Sequence, residues 1–489
     1  MALTSPASST SSAHRLSSSS GGLQSGRLVA HVLVFELFAV APLVPWWADF
    51  QSRYEIALIF SFVTLCVVGA ALGTYKGLRP LILIASVFPY CWLAVPASYQ
   101  IAYRVAAWQD GTVTSQVGAT EKAMLICCCF QLLLLVGYVT PRRTGPHASA
   151  APAEMSAAQL TLLRRASTYT LVAAALLLPV VVSIVGGLGA LFATRTGLND
   201  TIASAGYTAA NTGIYTIVKL LPGQLCIVTA LACVYALRAA GPLSPAQVST
   251  LRFKLFMSLV LLAIYANPYT HTRFIFLAAF GSVALMLLST RGWRTGIVAL
   301  LVCLVAFLFA YPAANYFRSG EDHRLSLTQS FRTSDFDGFQ QVINTVTLVD
   351  ARGHAQGSHV VSAALFFVPR SIWSGKAVPA SFEVASARGY VFQNLSLPIQ
   401  AEFYLDLGWI GLGLLSYAWG LVWRRLDGAW RSRQPAVMIA SYLAIAQIGI
   451  FRGPLGSLAP TYGIALILLL GLLIAFRKRS HRSADNSLA

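Results

Sequence analysis

The chain has 489 residues, 56% of them hydrophobic and only 11% charged, with a mean hydropathy of +0.66. An ordinary soluble domain carries about 25% charged residues, so this composition excludes a soluble enzyme and indicates a polytopic membrane protein. The formal net charge of +18 does not point to nucleic acid. The cations sit in short clusters between apolar runs of about twenty residues, the length a helix needs to cross hydrocarbon.

Residues 1–26 are dominated by Ser, Gly and Ala and are expected to form a disordered cytoplasmic tail rather than a cleaved signal peptide. A transmembrane domain over 27–476 follows, with apolar windows near 28–48, 54–75, 79–100, 121–139, 167–190, 214–237, 252–268, 272–290, 295–313, 403–423, 436–453 and 456–476. A basic cytoplasmic tail covers 477–489. The predicted fold class is therefore an all-α polytopic membrane protein of about 12 transmembrane helices. All eight cysteines fall inside these windows, so neither a disulfide framework nor a zinc site is expected. The Cys127–Cys129 run reads as three small hydrophobes.

Placing the N-terminus in the cytoplasm puts most of the basic clusters inside, among them Lys76 and Arg79, Arg142 and Arg143, Arg164 and Arg165, Arg424 and Arg425, and Arg477 to Arg479. Every short internal loop is then basic, as the positive-inside bias requires. One outer connection is out of proportion: residues 315–398, between spans nine and ten. A loop of this length is functional or disordered, and its many aromatic residues, Trp373, Tyr390 and Phe392 among them, argue against disorder. Short helices folding back on the membrane are expected there.

This loop holds the outer cations Arg318, Arg324, Arg332, Arg352, Arg370, Lys376 and Arg388. Positive charge kept on the disfavoured side suggests an anionic ligand, for which a membrane-bound pyrophosphate is the natural candidate; the alternative is that long translocated loops escape the charge rule. Arg273, at the outer start of span eight, has a planar fork suited to phosphate, whereas Lys219 reads as a snorkelling side chain. Glu402 and Asp406 stand at i, i+4 and share a helix face with Tyr404 and Trp409 nearby. One of the two carboxylates is a candidate general base towards a sugar hydroxyl, the alternative being a structural partner for a loop cation. His354 and His359 are alternative bases. Asp335-Phe336-Asp337 spells the D-x-D of nucleotide-sugar glycosyltransferases, but on the outer side it reads as a solvated turn. Neither a P-loop nor a dinucleotide or zinc motif is present.

In its many spans and one large late loop, the chain resembles the bacterial O-antigen and exopolysaccharide repeat-unit polymerases of the Wzy type. Pro369-Arg370 with Trp373 and Lys376 is similar to that family's P-R-x-x-W-x-x-K-like stretch. Glu402, Tyr404, Asp406 and Gly408 are similar to its G-E-x-Y-x-N-x-G entry to the next span, with Ala401 and Asp406 departing from the pattern. Thr272-Arg273-Phe274 resembles its small-residue-then-Arg span start.

The resemblance implies transfer of a growing glycan from undecaprenyl pyrophosphate to another lipid-linked repeat unit at the periplasmic face of the bacterial inner membrane. It implies a partly helical periplasmic loop, no cofactor and no metal. Arg273, Arg318, Arg370 and Lys376 would hold pyrophosphate, Trp373, Tyr404 and Asp406 would line the site, and Glu402 or His359 would deprotonate the acceptor. Implied partners are the lipid-linked donor and acceptor glycans, membrane lipid, and a chain-length regulator and flippase of the same pathway, but no nucleic acid. An O-antigen ligase shares this chemistry with a different acceptor. A flippase or transporter for the lipid-linked unit is the alternative of another class, although such proteins build their site at the membrane midplane.

Overall fold

A computed structural model describes residues 19–108, 116–141, 155–193, 212–268, 271–288, 292–311, 327–432 and 434–488. Among these residues the regular structure is helical throughout, apart from one isolated bridge between Tyr75 and Gly77. Among the described residues, nine helices are long and apolar enough to cross a membrane: Arg53–Thr74, Pro80–Ala102, Val117–Val139, Ala157–Ile184, Leu220–Ala239, Pro245–Tyr265, Trp293–Ala310, Ile399–Ser432 and Leu455–Lys478. The other three predicted windows fall on the shorter apolar helices Leu28–Val40, Arg273–Leu287 and Val437–Arg452. A helix is the local answer to lipid, because it satisfies every backbone N–H and C=O within its own segment.

Burial differs sharply between helices. Pro80–Ala102 is almost wholly enclosed by its neighbours, while few residues of Trp293–Ala310 are fully buried. The helices Val117–Val139 and Ile399–Ser432 pack along their length, and small residues let their backbones approach. A Cβ added at Gly137 would lie 2.1 Å from Tyr417 O, and one at Gly420 would lie 2.0 Å from Leu134 O. Close backbone approach of this kind provides the dispersion contacts that hold helices together in lipid, where burial of apolar surface gives little advantage.

Within the long loop, the described residues form the short helices Leu327–Ser330, Ser334–Phe336, Gly338–Arg352, Ser358–Ala364 and Ala380–Ala387. The segment is tied onto the spans beneath it. Gln100 Nε2 donates to Phe331 O and Phe336 O at 2.8 and 3.0 Å, Trp92 Nε1 donates to Asp335 O at 2.8 Å, and Phe331, Phe336 and Phe339 are fully buried. The Asp335–Asp337 segment is therefore no solvated turn. Phe336, between the two carboxylates, is a core residue and carries both aspartates down onto the spans.

Candidate functional site

The helix beginning at Ile399 breaks at Gly408, whose φ of 64° and ψ of −153° belong to a region open essentially to glycine alone. An added Cβ would also stand 2.9 Å from His354 Nε2. A continuous helix would give the carbonyls of Tyr404, Leu405 and Asp406 to the N–H groups four residues on. At the break, the loop takes them instead. His354 Nδ1 lies 3.0 Å from Tyr404 O, Ala355 N donates to Leu405 O at 2.9 Å, and Gly357 N donates to Asp406 O at 3.1 Å.

Beside this seam, Asp406 accepts from Val360 N at 2.7 Å and lies 2.7 Å from His359 Nδ1. The other ring nitrogen of His359 meets Glu383 at 3.1 Å. His359 is 3% exposed. Burial works against its charge, but the hydrogen bonds to Asp406 and Glu383 outweigh that and push the imidazole up to about 9. The same contact with His359 lowers Glu383. An imidazolium held between two carboxylates has no lone pair to accept a proton, so His359 fastens the loop to the kinked helix rather than serving as a base near neutral pH.

Glu402, one turn before Asp406, is fully buried. Its Oε2 accepts from Leu455 N at 2.7 Å, while Oε1 has no hydrogen-bond partner among the described residues. The reason is local to the sequence. Gly453-Pro454 ends one helix and starts the next, and the first N–H groups of a helix lack intrahelical partners. Glu402 takes one of them and keeps an oxygen unused. Asp406 lies one helical turn from it, while Tyr404, two residues on, has His354, Trp409 and the Lys122 ammonium against its ring.

Three residues before Leu455 lies Arg452, which the sequence reading did not single out. It meets Asp335 Oδ1 at 3.6 Å, and Arg273 meets the same oxygen at 3.4 Å. Tyr311 completes the cluster, its hydroxyl 3.1 Å from Asp335 Oδ1, with the guanidinium of Arg273 over its ring at 4.3 Å and that of Arg452 at 5.7 Å. Both arginine side chains stay 20% exposed. Asp337, the second carboxylate of the segment, accepts from Trp108 Nε1 at 2.7 Å. Burial raises its pKa against the pull of Arg452, which weakens it as a competing anion. The signal for Arg452 was present in the sequence: it is a cation at the end of an apolar window, as Arg273 is at the start of one.

The remaining predicted ligands go elsewhere. Arg370 donates to the carbonyls of Lys376 and Ala377, the latter at 2.9 Å. Lys376 Nζ donates to Leu365 O, Phe366 O and Val368 O at 3.1, 2.9 and 2.9 Å. Partial burial and the nearby Arg370 lower its pKa. The two cations staple one turn, with half-buried Trp373 inside it, and among the described contacts none joins them to Arg273, Arg452 or Glu402. Arg318 and Arg324 lie outside the described residues. Compared with family models, curated proteins and solved structures, the chain matches none.

Proposed function

We propose that the protein polymerises lipid-linked oligosaccharide repeat units, transferring the growing glycan from undecaprenyl pyrophosphate to a sugar hydroxyl of a second unit. What supports this reading is one arrangement. Arg273 and Arg452, carried by two apolar helices, converge on a single carboxylate oxygen, and the short turn after Arg452 ends on the N–H that Glu402 accepts. Three residues of chain span at most about 10 Å, so the backbone that carries Arg452 and the N–H that holds Glu402, a carboxylate with an unused oxygen, belong to one short turn.

In this scheme the acceptor oxygen attacks the anomeric carbon and the bond to the pyrophosphate oxygen breaks. The electron pair leaves on pyrophosphate, where Arg273 and Arg452 neutralise it, and the acceptor proton passes to Glu402 Oε1. The cations displace Asp335 as their partner when the diphosphate enters. His359, Asp406 and Glu383 hold the loop against the kinked helix, which positions Glu402. The proposed topology is twelve crossings, three of them by the shorter helices, with both termini in the cytoplasm and the long loop in the periplasm of a bacterial inner membrane.

The test is turnover of purified lipid-linked repeat unit by the protein in nanodiscs. A ladder of lipid-linked products with release of undecaprenyl pyrophosphate is expected. Transfer to a lipid A core without a ladder would identify a ligase, and movement of the unit across a vesicle membrane without new glycosidic bonds would identify a transporter. A reporter at residue 350 should read as external; a cytoplasmic signal there would overturn the site.

A further inference from the structure

Just beyond the helix Pro80–Ala102, the Trp108 ring lies nearly parallel to those of Phe392 (centroids 5.6 Å apart, 15° between planes) and Tyr390 (6.0 Å, 25°). The rings are pinned. Trp108 donates through Nε1 to Asp337 and through its backbone N–H to Gln340 Oε1 at 2.9 Å, and the Tyr390 hydroxyl accepts from Gln340 Nε2 at 3.2 Å and Asn344 Nδ2 at 3.3 Å. Phe392 is nonetheless 52% exposed, and Gln393 and Asn394 next to it are exposed too. Asn344 is 1% exposed, and its Oδ1 has no hydrogen-bond partner among the described residues.

We infer that Trp108, Tyr390 and Phe392, with Gln340, Asn344 and Asp337, form a carbohydrate subsite that holds the sugar portion of the lipid-linked unit beside the arginine centre. The inference rests on the polymerase reading and deepens it. A pyranose has an apolar C–H face that packs on an aromatic ring and a rim of hydroxyls that both donate and accept, so its site combines ring faces with amides and carboxylates. Rings already held in place lose little freedom on binding. An aromatic anchor at the lipid interface needs a ring and one polar tip; a buried amide and carboxylate network around the rings adds nothing to that role. The location fits as well, since Asp335 belongs to the arginine centre and Asp337, two residues on, to the ring cluster. A pyrophosphate at the first would direct its sugars to the second.

The experiment uses the full-length protein in nanodiscs and, as probe, the lipid-free repeat-unit oligosaccharide released by mild acid from the polysaccharide of the source cells. Saturable binding by the wild type is expected, at least tenfold weaker in Phe392→Ala and in Trp108→Ala, with Trp108→Phe weakened less than Trp108→Ala. Phe392 is exposed enough for its truncation to leave folding intact. In turnover, Phe392→Ala should raise KM at least tenfold with little change in kcat. Wild-type binding by Phe392→Ala, or no saturable binding at all, overturns the subsite; so does a Phe392→Ala variant whose only defect is weaker partition into lipid vesicles. Failure of the polymerase reading is distinct: the wild type then makes no polymer from lipid-linked substrate, whatever the oligosaccharide binding shows.

Discussion

Arg273 with Arg452 and Arg370 with Lys376 are two pairs of cations that meet different partners in the fold. The second pair lies in one turn of the long loop, where Arg370 reaches forward to the carbonyls of Lys376 and Ala377 and Lys376 reaches back to those of Leu365, Phe366 and Val368. The first pair comes from two helices far apart in the chain: Arg273 donates to Tyr311 O at 2.8 Å and meets Asp335, while Arg452 meets the same Asp335 oxygen and lies over the Tyr311 ring. What separates the two pairs is where the surrounding elements converge: one turn encloses its own cations, whereas two helices bring theirs together on one carboxylate oxygen.

Substitution at Arg452 should have the largest effect. Arg452→Ala should lower polymerisation by about 10²–10³-fold, the loss typical of a transition-state charge donor, and Arg452→Lys should recover little because a point charge lacks the fork. The readout is the product ladder from purified protein, with membrane content checked by immunoblot; a full ladder from Arg452→Ala would remove it from the site. Next comes Glu402→Gln, which keeps an acceptor for Leu455 N and therefore the helix junction. Its rate should fall by about 10²–10⁴-fold while donor binding persists, and normal turnover by this variant would leave Glu402 a purely structural cap.

Smaller effects test the seam between loop and kinked helix. Gly408→Ala forces a side chain into a glycine-only conformation and against His354, which should cost about 1–3 kcal/mol, seen as a lower Tm in detergent and faster hydrogen exchange over 354–360. The pH dependence follows from His359. Its pKa is raised from 6.5 to about 9, so the docking it provides is fully present below about pH 6.5 and is lost as pH rises through 9. Limited proteolysis across 354–383 should therefore accelerate between pH 8 and 10 in the wild type, and the step should vanish in His359→Gln. The smallest effect belongs to the loop staple: Arg370→Ala should change turnover less than about threefold and cost about 0.5–1.5 kcal/mol, since water can replace an exposed donor. Loss of the ladder in Arg370→Ala at unchanged stability would put it back among the pyrophosphate ligands.

The helical membrane architecture was legible in the chain because it depends on local quantities. Each apolar window satisfies its own backbone hydrogen bonds and needs only length and hydropathy to be recognised, and all twelve windows fall on apolar helices, nine of them of spanning length. The shared face of Glu402 and Asp406 was equally readable, being a consequence of helical period. Their partners were not. That Asp406 would be taken by His359 and the first turn of Ser358–Ala364, leaving Glu402 with an unused oxygen, depends on the break at Gly408 and on where the loop lands. The D-x-D segment misled for the same reason: two aspartates flanking a phenylalanine look solvated until that phenylalanine is seen to be core. By itself the sequence determined which segments enter lipid and which side chains carry charge. Only the tertiary structure decided which charges meet, because the convergence of Arg273, Arg452 and Asp335 arises from the packing of segments far apart in the chain, and no periodicity or composition records that packing.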